Sequence, residues 1–342
     1  MELESASESE YSRVLVDLHL HRMTPFVGYA IRTHGLEDLL PGEFRSQCLA
    51  VHRDTLLANS ARMHRLASIL HALEERGIEP LVLKGGALAD GFYPDLGSRS
   101  MSDVDLVIER HRIPSVREAF ESVGVPRAQA LDAGDALQFA DPMGITFDVH
   151  YRFRLFEGQG LEGLTTVVPT RRLNFPRLRV LEPSAMVVHL VHHMGGHRSG
   201  SGYLLRWLID LLLVLRSWGD RLEPDRLLAM LPTESDLALF LRTLRFFEVE
   251  LGESLPGCLA PLLRDVPPIG LQEVLRQRLL ALWGLPWPRG WARLGAIRVG
   301  ARARRGLPNP SWSDLIHWPA DALQERQALR RARRLRACGS GP

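Results

Sequence analysis

The spacing of apolar residues changes twice in a short stretch, and that change limits the folds open to this chain. Leu56, Met63, Leu66, Leu70 and Leu73 recur at intervals of three, four and seven, as on one buried helix face. Gly77 then supplies a stop. Pro80-Leu81-Val82-Leu83 is a short unbroken apolar run ending at Lys84-Gly85-Gly86, as a buried strand entering a glycine turn would be. Ala87 to Tyr93 reads as a short helix, followed by a loop through Pro94, Gly97 and Arg99. From Asp103 to Glu109 the pattern alternates, which predicts a second strand. A helix is expected over Ile113–Val123. Ala136–Ala140 and Gly144–Phe153 then form a hairpin around Asp141-Pro142-Met143-Gly144. In its second arm Ile145, Phe147 and Val149 face one way, and Thr146, Asp148 and His150 the other.

The flanks are helical. Residues 1–10 (MELESASESE) are acidic and serine-rich and read as a disordered tail, and 11–77 as an N-terminal helical region. Residues 78–180 hold the strands. Leucine-rich segments at 184–195, 203–217, 224–231, 235–251 and 271–283, a looser Pro/Trp/Gly-rich connection at 284–312 and an arginine-rich helix at 320–337 make 181–337 a C-terminal helical domain. The expected class is α+β, a small α/β core with a mixed sheet between helical regions. The apolar fraction of 45% is enough for a sizeable core. Leu204 to Leu215, the most apolar segment, is interrupted by Arg206 and Asp210 and is too short to span a bilayer, so no membrane partner is expected. Nothing at the start resembles a signal peptide, and Cys48, Cys258 and Cys338 suggest neither a disulfide framework nor a zinc knuckle. A cytoplasmic location is the expectation.

Asp103 and Asp105 carry the chemistry. Residues i and i+2 of a strand project from one face about 6.6 Å apart, so the two carboxylates can converge on hard cations while Val104 and Leu106 face the core. Mg²⁺ takes oxygen ligands and completes its shell with water and substrate phosphates. Two such ions about 3.5–4 Å apart can serve an in-line displacement. Asp148 has the facing needed for a third carboxylate. Gly85-Gly86 would let backbone amides approach a triphosphate, and a helix starting at Ala87 would add its positive end. The spacing is neither that of a Walker A loop nor that of a dinucleotide fingerprint. Of 42 basic residues only Lys84 is lysine, a compact cation placed beside the glycines.

Leu83-Lys84-Gly85-Gly86, Arg99, Asp103-Val104-Asp105-Leu106-Val107 and Phe147-Asp148-Val149-His150 together resemble the DNA polymerase β-like nucleotidyltransferase superfamily, and in particular its uncharacterised bacterial nucleotidyltransferase family. The strong match covers roughly residues 80–153, which makes 78–180 the nucleotidyltransferase core. It extends more weakly from His189 to Leu215. The resemblance implies transfer of a nucleoside monophosphate from a Mg-NTP to a hydroxyl or phosphate, with pyrophosphate leaving. It implies that Gly85 and Gly86 contact the triphosphate, that Asp103 and Asp105 bind two Mg²⁺ ions, and that Asp148 is the third carboxylate. Lys84 and Arg99 are candidate phosphate contacts. The gap between Gly86 and Asp103 is longer than the compact superfamily pattern, and Gly86 replaces a serine that many members use.

His189, His192, His193 and His197 share one expected helix. With His150, the pair His192 and His193 are candidates to face the cleft. Asp210, in an apolar helix, calls for a buried partner such as Arg206 or one of these histidines, and Trp207 reads as core. Arg326 to Arg336 reads as a solvated helix, and with a net charge of +2 no nucleic-acid partner is expected. An unidentified small-molecule, sugar or peptide acceptor is preferred. A second reading from another class stays open: a catalytically degenerate nucleotide-binding or adaptor protein of a biosynthetic or toxin–antitoxin operon.

Overall fold

A computed structural model describes residues 7–125, 129–130, 135–156, 161–201, 204–264, 266–271, 274 and 318–339. The chain divides into two compact units, residues 1–185 and 186–342.

The first unit opens with three helices, α1 (Glu8–Leu20), α2 (Thr24–His34) and α3 (Gly42–Glu74). Helix α1 starts inside the stretch read as a tail. Ser7 and Glu10 form a capping box, in which the Ser7 amide donates to Glu10 Oε2 at 2.8 Å and the Glu10 amide to Ser7 Oγ at 3.4 Å. Tyr11, Ile31, Phe44 and Cys48 bind the three helices together, and burial pushes the Cys48 thiol up to about 11. Met63, Leu66, Leu70 and Leu73 of α3 are buried, and Gly77 closes the helix end at φ +64°.

Beyond it lies a mixed sheet of seven strands: β1 (Leu81–Leu83), β2 (Asp103–Val107), β3 (Gln129–Ala130), β4 (Ala136–Ala140), β5 (Thr146–His150), β6 (Thr165–Pro169) and β7 (Arg177–Leu181). The spatial order is β3-β4-β5-β2-β1-β7-β6. Strand β2 lies at the centre, antiparallel to β1 and parallel to β5. Strand β7 runs parallel to β1 on its other side, with β6 antiparallel at the edge. Two helices complete the unit, α4 (Lys84–Gly91) and α5 (Ile113–Ser122), and α5 seals one sheet face through Val116, Ala119 and Phe120. Phe120 stacks on Phe139 with ring centroids 4.0 Å apart and meets Phe147 edge-on.

The expected glycine turn is a correction. Helix α4 begins at Lys84, so Gly85 and Gly86 lie in its first turn instead of a loop. The left-handed residue at the corner is Lys84 itself, at φ +40°. The glycines are needed for close packing. A Cβ on Gly85 would stand 2.7 Å from Met101 Sδ, and one on Gly86 3.1 Å from Val82 Cγ1.

The second unit is helical: α6 (Pro183–Ser201), which starts at the end of the first unit, then α7 (Leu205–Trp218), α8 (Pro224–Met230), α9 (Glu234–Glu250) and α10 (Trp318–Gly339). Its core is drawn from Leu208, Leu211, Leu237, Phe240, Leu244 and Phe247. Part of the arginine-rich helix is anchored and not solvated: Ala328 and Ala332 are buried, Arg333 pairs with Glu234 at 2.7 Å, and Arg336 donates to the Leu231 carbonyl. The expected segment 271–283 and the connection 284–312 lie almost wholly outside the described residues. No helix among the described residues is long and apolar enough to cross a membrane.

Candidate active site

Strand register sets the site. On β2, Asp105 stands opposite Leu83 of β1 on one side and Asp148 of β5 on the other. Asp103, two residues earlier, therefore shares the face of Asp105, and His150, two residues beyond Asp148, shares that face on β5. The opposite face, with Val104, Leu106, Phe147 and Val149, is sealed in the core.

Three neighbours hold Asp105 and Asp148. Lys84, lifted out of the corner between β1 and α4, places Nζ 2.8 Å from Asp105 Oδ1. His150 Nε2 is 3.2 Å from the same oxygen. Gln138, opposite Asp148 on β4, donates to Asp148 Oδ1 at 3.0 Å. Asp103 is less enclosed and accepts from Ser102 Oγ at 2.9 Å.

The two central carboxyls are driven apart in acidity. Burial pushes Asp105 up, but the His150 hydrogen bond and the Lys84 charge outweigh it and hold the group well below the usual carboxylate range. Asp148 is raised, first by burial and then by the charges of Asp103 and Asp105, against the opposing hydrogen bond from Gln138. One acid is thus held ionised beside another that accepts a proton more readily.

The donor set fits a hard divalent cation, because the three strand positions offer only carboxylate oxygens. Among the described residues no three His, Cys, Asp or Glu side chains close into a complete metal cage by themselves. An ion such as Mg²⁺ takes one or two carboxylates and fills the rest of its shell with water and substrate phosphates.

The loop that carries Arg99 packs against the first turn of α4. Arg99 is 5% exposed, sits 5.8 Å from the Tyr93 ring, and brings Nη1 within 3.2 Å of where a Gly85 Cβ would stand. The loop is fastened from several directions. Fully buried Asn59 of α3 donates to the carbonyls of Leu96 and Arg99, both at 2.7 Å. His52 and Arg32 grip Asp95 at 3.0 and 2.9 Å. Asp90 of α4 accepts the amides of Arg171, Arg172 and Leu173, while the Arg172 guanidinium donates to four carbonyls, those of Ala89, Asp90, Tyr93 and Pro94. A separate cavity of about 190 Å³ opens at the other end of β1, lined by Leu70, Ile78, Phe175 and Arg179 among others; none of the three carboxylates reaches it.

The histidines expected on one helix, His189, His192, His193 and His197, belong to the second unit. His192 Nδ1 lies 3.5 Å from Asp236 Oδ2, which raises its pKa, and His193 meets Trp207 edge-on. His189 and Asp210 are buried. The His197 side chain lies outside the described residues.

Comparison with known proteins identifies the family. The profile of a family described as uncharacterised nucleotidyltransferases matches residues 7–244. No curated protein matches the chain. Similar solved structures include the antibiotic-resistance factor ANT(2'')-Ia in solution, at 14% identity and a TM-score of 0.39, covering 51% of this chain and 90% of that one. The crystal structure of ANT(2'')-Ia with adenylyl-2''-tobramycin gives the same identity and TM-score, covering 50% and 94%. An antigenic nucleotidyltransferase-like protein from Paracoccidioides brasiliensis is 15% identical at a TM-score of 0.36, covering 63% and 94%.

Proposed function

This chain belongs to the uncharacterised nucleotidyltransferase family, and we propose that it moves a nucleoside monophosphate from a Mg-NTP to a hydroxyl or phosphate of a small-molecule, sugar or peptide acceptor. The observation that carries the reading is the pairing of Asp105 with Asp148 across parallel strands, with Asp103 on the same face. Asp103, Asp105 and Asp148 would hold two Mg²⁺ ions, which when bound offset charge on the attacking and leaving oxygens. Asp148, raised in pKa, takes the acceptor's proton. The acceptor oxygen then forms its bond to the α-phosphorus. The bond from that phosphorus to the bridging oxygen breaks, and pyrophosphate leaves with the electron pair. Lys84, Arg99 and the first-turn amides at Gly85 and Gly86 bind phosphate oxygens on the leaving side. His150 steadies Asp105. A small acceptor is favoured by the near-neutral net charge of +2, which offers no general attraction to nucleic acid.

The test is a thermal-shift titration with ATP, CTP, GTP and UTP, with and without Mg²⁺, on wild type and an Asp103→Asn/Asp105→Asn double variant. A ligand at about 100 times its dissociation constant adds about 2.7 kcal/mol, several degrees in the midpoint. A Mg²⁺-dependent shift absent from the double variant is expected. A wild type that responds to no nucleotide would overturn the reading.

A further inference from the structure

Helix α3 reaches the site from the N-terminal helices, and one of its side chains has no role in the account so far. Arg62 is half-buried, and its Nη1 donates to Asn59 Oδ1 at 3.2 Å. Its Nε is closed off from solvent with no acceptor, and among the described residues it makes no salt bridge. Burial pulls its pKa below the usual arginine range, and the nearby Asp103 carboxylate opposes that shift. Asn59 thus holds two arginines at once, Arg62 through its side chain and Arg99 through its carbonyl.

A guanidinium keeps its charge and offers five donors in a planar fork suited to phosphate oxygens. Partial burial with unmet donors is unfavourable unless an anion arrives to accept them. The acidic cluster does not fill that role, because Asp103 influences Arg62 through space without pairing with it.

From this geometry we infer that Arg62 binds the β- or γ-phosphate of the nucleoside triphosphate, with Asn59 as the positioning residue that aims it. The inference rests on the nucleotidyl-transfer reading and adds a phosphate contact drawn from the helical region outside the sheet. Arg62 grips the part of the nucleotide that departs, so its removal should spare the nucleoside monophosphate.

The experiment is calorimetric titration of the full chain with each Mg-NTP and the corresponding monophosphate, for wild type, Arg62→Gln and Arg62→Lys. Gln keeps a donor toward Asn59, and Lys keeps the charge without the fork. Arg62→Gln should weaken Mg-NTP binding about 10- to 100-fold, the range of a lost charge-assisted contact, and leave monophosphate binding within about twofold. Arg62→Lys should fall between wild type and Arg62→Gln. Unchanged Mg-NTP affinity in Arg62→Gln, or equal losses for triphosphate and monophosphate, overturns the inference while the transfer reading stands. A wild type that binds no Mg-NTP overturns both.

Discussion

On one face of the β2–β5 pair, Val104, Leu106, Phe147 and Val149 are sealed against the helices. On the other, two residues along at each step, stand Asp103, Asp105, Asp148 and His150, with Asp105 bonded to the Lys84 ammonium and to His150. The same backbone hydrogen bonds serve both faces, so their difference is one of side chains alone. The apolar face gains from every atom it hides. The polar face holds like charges together and leaves Asp148 harder to ionise than a free carboxyl. A strand pair with period two can therefore separate stability from chemistry residue by residue. The separation predicts how substitutions on each face behave.

The largest effect belongs to the apolar face. Phe147→Ala removes a fully buried ring that meets Phe120 edge-on, and should lower unfolding free energy by about 3–5 kcal/mol in urea titrations. A loss under 1 kcal/mol would mean that this face is not the core described here. Next comes Lys84→Met, which strips the ammonium from a carboxylate only 4% exposed. His150 remains as a partner, so the expected loss is about 1–2 kcal/mol, less than a fully orphaned buried charge. Equal stability in the variant would show that the ion pair is incidental. The smallest effect is Asp148→Asn, and its sign is the informative part. A carboxyl with a raised folded pKa contributes stability at pH below its unfolded value, about 3.9, and loses that contribution as pH rises through the folded value. The variant should therefore match or slightly exceed wild type near pH 7, by at most about 0.5 kcal/mol given the exposure of the group. The gain should vanish as pH falls below about 4. An Asp148→Asn protein clearly less stable than wild type at pH 7 would contradict the crowding of like charge on this face.

Much of this is legible in the sequence. The alternation over Asp103–Glu109 and the hairpin about Asp141-Pro142-Met143-Gly144 both appear, with Asp148 on the expected face. Strands β6 and β7 were not foreseen, because Thr165–Pro169 is a half-exposed edge that ends in proline and shows little of the alternation a one-sided strand would give. The glycine pair misled in a different way. Conformational freedom is the usual reason for glycine, yet here the left-handed backbone falls on Lys84 and the glycines make room for Met101 and Val82. Arg99 reads as a candidate phosphate contact, but its burial is not visible in the loop composition and comes from the grip of Asn59 and the neighbouring anchors. Asn59 itself left a signal: it lies on the stripe Leu56, Met63, Leu66, Leu70, Leu73, three residues after the first and four before the second. An amide in an otherwise apolar row is a buried group looking for partners.

The corner at Lys84 has one more consequence. It carries the chain's sole ε-amino group, with a side chain still 25% exposed. Any reagent or enzyme that acylates, alkylates or conjugates lysine side chains has one address in this sequence, and that address is bonded to Asp105. Acetylation there would erase the ammonium and leave the carboxylate with one partner fewer. A fluorophore attached at that ε-amino group would report on the site itself.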